Sequence, residues 1–170
     1  MTGDYTAENE NMEDFVVNNK RSLKKLERAI QMSQGQFSLI LMCCNCSSMR
    51  RKMVKQLSKR CSIQIQELIV HPSVTTLFTT ILTAIEEPPP QALMVFGLES
   101  VVAIDQLLNA TNLVRDEFPK HFPFPLILCI NDDILQKLIR LAPDFKSWAA
   151  NPIRFEDPKN HPLAATPITA

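Results

Sequence analysis

The sequence predicts a three-layer α/β domain, with a mainly parallel sheet of four to five strands and helices on both faces. Three observations carry that expectation. Short apolar runs at Phe37–Cys44, Ala92–Phe96 and Leu126–Ile130 have the length and near-continuous hydrophobicity of strands buried on both faces. Helical periodicity fills the intervals between strands, which recur at roughly 25–35 residues, the spacing at which right-handed crossovers lay helices over a parallel sheet. The chain of 170 residues, 45% of them hydrophobic, has one domain's length and enough apolar material to bury a core.

The elements follow in order. Residues 1–13 are polar and acidic and read as a leader, residues 14–157 as the domain, and residues 158–170 as a proline-punctuated tail or linker. From Asp14 onward Phe15, Leu23, Leu26, Ala29 and Ile30 recur at helical spacing, and Gly35 can supply the C-terminal cap. After the Phe37–Cys44 strand, Ser47 or Ser48 is expected to cap a helix whose stripe is Met49, Met53, Leu57 and Cys61. Residues 62–70 alternate like a strand with one wetter face, and residues 75–87 read as a helix stopped by Pro88-Pro89-Pro90. Strand Ala92–Phe96 then leads to a helix over Val101–Phe118, a proline-rich connector at 119–125, and strand Leu126–Ile130. Asn131-Asp132-Asp133 caps the next helix, and Ile153–Glu156 gives a last short strand.

Lys plus Arg and Asp plus Glu number 18 each, so no global field draws the chain to nucleic acid or to an anionic membrane. The basic run from Arg50 to Arg60 carries no interleaved aromatic residue, which argues against nucleic acid there too. Five cysteines, an odd number, and an acidic N-terminus in place of a cleavable apolar leader point to a reducing, cytoplasmic setting.

In parallel sheets ligands gather beyond the carboxyl ends of the strands, which here means Cys43–Ser48, His71–Ser73, Gly97–Ser100 and Asn131–Asp133. A phosphate-binding loop needs several glycines and a lysine just inside the following helix. The first edge reads Cys44-Asn-Cys-Ser-Ser-Met-Arg-Arg-Lys, with no glycine. A helix start still favours an anion, so Ser47, Ser48, Arg50 and Arg51 form a candidate nucleotide or anion site, completed by Glu99 after the third strand and Asn131 after the fourth. Glu99 is at least as well explained as a helix-start carboxylate, and for Asn131 a helix cap is the favoured explanation. Cys43 and Cys46 make a Cys-x-x-Cys at a strand-to-helix junction, the placement that activates a thiol, so a thiol oxidoreductase is a further alternative. No second cysteine or histidine pair completes a zinc site, and no metal or other cofactor is expected. Arg51, Lys55 and Lys59 on the basic helix, and Phe145 and Trp148 near the C-terminal end, are the candidate surfaces for a protein partner or for self-association.

The segments Leu26-Glu-Arg-Ala-Ile30, Gly35-Gln-Phe-Ser-Leu-Ile-Leu41, Ala92-Leu-Met-Val-Phe-Gly-Leu-Glu99, Pro125-Leu-Ile-Leu-Cys-Ile130, Leu141-Ala-Pro-Asp-Phe-Lys-Ser-Trp148 and Arg154-Phe-Glu156 carry a resemblance. Over about residues 14–157 the chain resembles the NTPase-like domain at the N-terminus of multidomain bacterial, especially cyanobacterial, signalling proteins of the STAND type, where tetratricopeptide or WD40 repeats follow. The resemblance implies a P-loop-like core serving as an assembly or regulatory module with degraded nucleotide motifs. Glu99 falls at the family's strand-end acid, while the lysine and glycines of an active loop have no counterpart. The expectation is a non-catalytic interaction domain, with a nucleotide-binding switch as the alternative.

Overall fold

The computed structural model describes residues 4–156, with side chains from Asn18 onward. Helix α1 (Asp4–Met32) leads into strand β1 (Ser38–Cys43), helix α2 (Ser47–Arg60), strand β2 (Ile65–Ile69), helix α3 (Leu77–Ala84) and strand β3 (Ala92–Phe96). A 3-10 turn at Leu98–Ser100 precedes α4 (Ile104–Leu113) and α5 (Glu117–His121). Strand β4 (Pro125–Ile130), α6 (Asp132–Leu141), α7 (Pro143–Lys146) and β5 (Ile153–Arg154) complete the domain. The five strands form one all-parallel sheet in the order β2-β3-β4-β1-β5, with helices on both faces.

Alternation along β1 divides the interior in two. Leu39, Leu41 and Cys43 join the core built with α3 to α7, whereas Ile40, Met42 and Cys44 join the smaller core under α1 and α2. In the larger core Phe118, Phe122, Phe124 and Phe145 are all fully buried, and the Phe118 and Phe145 rings lie 4.9 Å apart. Each such side chain contributes about 1.5–3 kcal/mol by leaving water.

The strand order places the ligand-gathering crevice. From β1 the chain crosses through α2 to the far edge at β2, then returns through β3 and β4 on the opposite face and passes beyond β1 to β5. Strands β1 and β4 are therefore neighbours whose onward connections leave in opposite directions, the arrangement that opens a crevice at their carboxyl ends.

Several elements differ from the sequence expectation. Helix α1 starts at Asp4, not near Asp14, in keeping with the preference of acidic residues for a helix's positive end. The expected tail at 158–170 lies outside the described residues. The helix expected over Val101–Phe118 is two helices, α4 and α5, and Pro119 sits inside α5 without cost, in a first turn whose N–H groups have no helical partner anyway. The 119–125 connector is only partly at the surface: Pro119, Lys120, His121 and Pro123 are exposed, whereas Phe122 and Phe124 are core residues. Gly97 holds a left-handed φ of 89° at the end of β3, which turns the chain directly into the 3-10 segment.

Candidate functional site

The turn between β1 and α2 is only Cys44-Asn45-Cys46, so α2 begins almost where the strand stops. Neither serine caps it: Cys46 holds the N-cap position without a side-chain hydrogen bond, Ser47 and Ser48 are exposed in the first turn, and Ser48 Oγ lies 3.0 Å from Cys46 Sγ. The inward stripe of α2 is Arg50, Met53, Val54 and Leu57, so an arginine occupies a position where the helical period calls for an apolar side chain.

Arg50 is 7% exposed and is anchored on two sides. Its Nη1 donates to Glu99 Oε1 at 2.7 Å, and its Nη2 donates to the Cys44 carbonyl at 3.0 Å. Its Nε is buried without a hydrogen-bond partner. The guanidinium thus ties the first turn of α2 to the end of β1 and to the 3-10 segment after β3, beyond the carboxyl ends of the strands where parallel sheets gather ligands.

A second network spans the β1–β4 crevice. Asn45 Nδ2 donates to Asp132 Oδ2 at 2.8 Å, and the Asp132 N–H donates to Asn45 Oδ1 at 2.9 Å. Arg154 Nη1 donates to Asp132 Oδ1 at 2.8 Å, and the Cys43 thiol donates to the same oxygen at 3.3 Å. The hydrogen bond from Arg154, followed by that from Asn45, holds the Asp132 carboxyl below its usual range. Burial, and then the hydrogen bond to Asp132, push the Cys43 thiol up to about 12. Cys43 is therefore a protonated donor near neutral pH and not a thiolate nucleophile.

The structure brings together part of the site expected from sequence. Ser47, Arg50, Arg51 and Glu99 line one groove of about 440 Å³ between α2 and the ends of β2 and β3, and Lys55 joins them there. Ser48 and Asn131 do not line it. Asn131 caps α6, its Oδ1 accepting from the Ile134 N–H at 2.9 Å. Of the candidate partner residues, Arg51, Lys55 and Lys59 are exposed along α2, while Phe145 is wholly buried and presents nothing to a partner. Trp148 is 39% exposed, standing edge-on to Phe37 at 6.1 Å.

Nothing in the sequence marks Asn45 or Arg154 as site residues, and Asp132 reads there only as part of a helix start. Asn45 lies in the strand-to-helix turn and Asp132 opens the helix after β4. Only the adjacency of β1 and β4 brings the two together. Among the described residues no helix is long and apolar enough to cross a membrane, and no three His, Cys, Asp or Glu side chains are grouped to hold a metal ion. No protein-family model matches this chain, and no curated protein is similar to it.

Proposed function

We propose that this chain is a non-catalytic, NTPase-like regulatory domain that works through protein contacts in a cytoplasmic signalling or assembly system. One observation carries the reading. The cation that a mononucleotide scaffold would offer a phosphate group is Arg50, and it is turned inward onto Glu99 and the Cys44 carbonyl. The three-residue turn before α2 offers no glycine and no lysine to cradle a triphosphate. The resemblance set out above points the same way. The contact surfaces are the basic face of α2, through Arg51, Lys55 and Lys59, and the exposed edge of Trp148.

A nucleotide-binding switch is the second reading, favoured by the groove in which Ser47, Arg50, Arg51, Lys55 and Glu99 meet. Isothermal titration with ATP and GTP in the presence of magnesium separates the two. The leading reading expects no saturable heat. Micromolar binding that disappears in Arg51→Ala supports the switch instead. For the leading reading, a partner captured from the native host is expected to be lost by an Arg51→Glu/Lys55→Glu chain of unchanged melting temperature.

A further inference from the structure

We infer that β1 offers a second, main-chain binding site: a slot beside Leu39–Leu41 that accepts an extended, acidic peptide segment of a partner as an added strand. The inference rests on the interaction-domain reading and names the chemistry of one contact.

Strand β4 pairs with β1 along its whole length, from Ser38↔Pro125 to Cys43↔Ile130. On the other side β5 pairs only at Met42↔Ile153 and Cys43↔Arg154, so among the described residues Ser38–Leu41 have no strand partner there. The direction of the main-chain groups follows from two bonds. Cys44 N–H donates to the Ile130 carbonyl at 2.9 Å on the β4 side, and Phe155 N–H donates to the Cys43 carbonyl at 2.9 Å on the β5 side. Successive residues of a strand alternate, so Leu39 and Leu41 also turn their N–H and C=O groups to the β5 side. Their side chains are buried, at 3% and 1% exposure, in the middle of the domain.

The chain approaches β5 through Asn151 and Pro152, which line the outer wall, and leaves a cavity of about 630 Å³ between β1, α1 and Trp148. A hydrogen bond from Ser22 Oγ to the Arg154 carbonyl, 2.6 Å long, fastens α1 to β5 just above it. Main-chain donors and acceptors two residues apart are complemented by an extended backbone, the mode in which peptides add to sheet edges. Of the slot's two charged lining residues Arg154 is already paired with Asp132, so the exposed Lys25, with no carboxylate among the lining residues, selects an acidic side chain on the incoming segment.

The contrast with the outer edge of β2 sharpens the assignment. There exposed Glu67 stands at the centre of the strand, a charge of the kind that guards edges against pairing. The β1 slot carries no such guard.

The test is selection of a random heptapeptide display library on the full chain, beside an Ala29→Trp chain that fills the slot from α1. Circular dichroism and melting temperature verify folding, and Lys25→Gln serves as a milder variant. The expected result is acid-containing, β-prone peptides that fail to bind the Ala29→Trp chain and bind about tenfold more weakly to Lys25→Gln. Their addition is expected to slow hydrogen exchange at the Leu39 and Leu41 amides by about tenfold or more. Failure to enrich any peptide over the filled-slot chain overturns the inference. Peptides that bind both chains equally and protect α2 overturn it while leaving the interaction-domain reading intact. A dimer by light scattering that Ala29→Trp abolishes overturns it too, because the occupant is then a second copy.

Discussion

Asn45 and Asp132 hold the carboxyl ends of β1 and β4 together by exchanging two hydrogen bonds, amide to carboxylate at 2.8 Å and backbone N–H to amide oxygen at 2.9 Å. Asn45→Ala removes both and leaves the Asp132 N–H to water at an exposed site. The expected loss is about 1 kcal/mol, read from the urea midpoint.

The same carboxylate sets an acid limb. Asp132 is held below its ordinary pKa in the folded chain, so its ion pair contributes stability fully above about pH 4 and loses it as pH falls through the lowered native value. Arg154→Gln removes the first cause of the shift. Urea midpoints followed from about pH 6 to about pH 2 are expected to fall less steeply in that variant, and NMR titration of the Asp132 carboxyl is expected to move up. An unchanged titration would contradict the assignment of Arg154 as its partner.

Arg50 and Glu99 make a pair best measured as a double-mutant cycle. Arg50→Met keeps the stem but strips the Cys44 carbonyl and Glu99 of their donor, and is expected to cost about 2–3 kcal/mol. Glu99→Gln leaves the buried guanidinium without a counter-charge and is expected to cost a similar amount. The two together are expected to cost clearly less than the sum, since each alone strands a polar group. Additive losses would mean that the 2.7 Å contact carries no coupling.

The thiols are expected to react in an order set by burial. Cys43 is buried, with its pKa raised to about 12, and Cys129 is fully buried with its thiol also pushed up. Cys46 is only half-buried. Brief iodoacetamide treatment of the native chain at pH 8, followed by peptide mass mapping, is expected to label Cys46 first and to spare Cys43 and Cys129. Early labelling of Cys43 would revive the thiol oxidoreductase alternative.

Gly97→Ala is expected to destabilise by about 1–2 kcal/mol, because an L side chain resists the left-handed region. The added Cβ would also stand 3.2 Å from the Val70 carbonyl, tight against the end of β2. Thermal unfolding of the single variant checks it.

The layered fold was legible because its inner strands are unambiguous. Phe37–Cys44 and Leu126–Ile130 are short, apolar and flanked by polar turns, and nothing else in the chain can absorb them. Their order was not legible, since interchangeable apolar strands carry no label for their neighbours. The site suffered accordingly. The charge of Arg50 argues for an outward face and hides its place in the 50-53-54-57 stripe, and its partner lies 49 residues further along the chain. Phe145, three residues before the exposed Trp148, reads in the sequence as part of the same contact surface, yet it is wholly buried. The four-residue helix Pro143–Lys146, which turns the ring into the core, is too short to announce itself by periodicity.

The division of labour along β1 has a genetic corollary. Each residue from Leu39 to Cys44 is committed to one of two separate interiors, so losing or gaining a single codon there would transpose every following side chain of the strand into the wrong layer at once. Length changes in that stretch are expected to abolish folding outright, whereas equal changes in the exposed 86–89 connector should leave the domain intact.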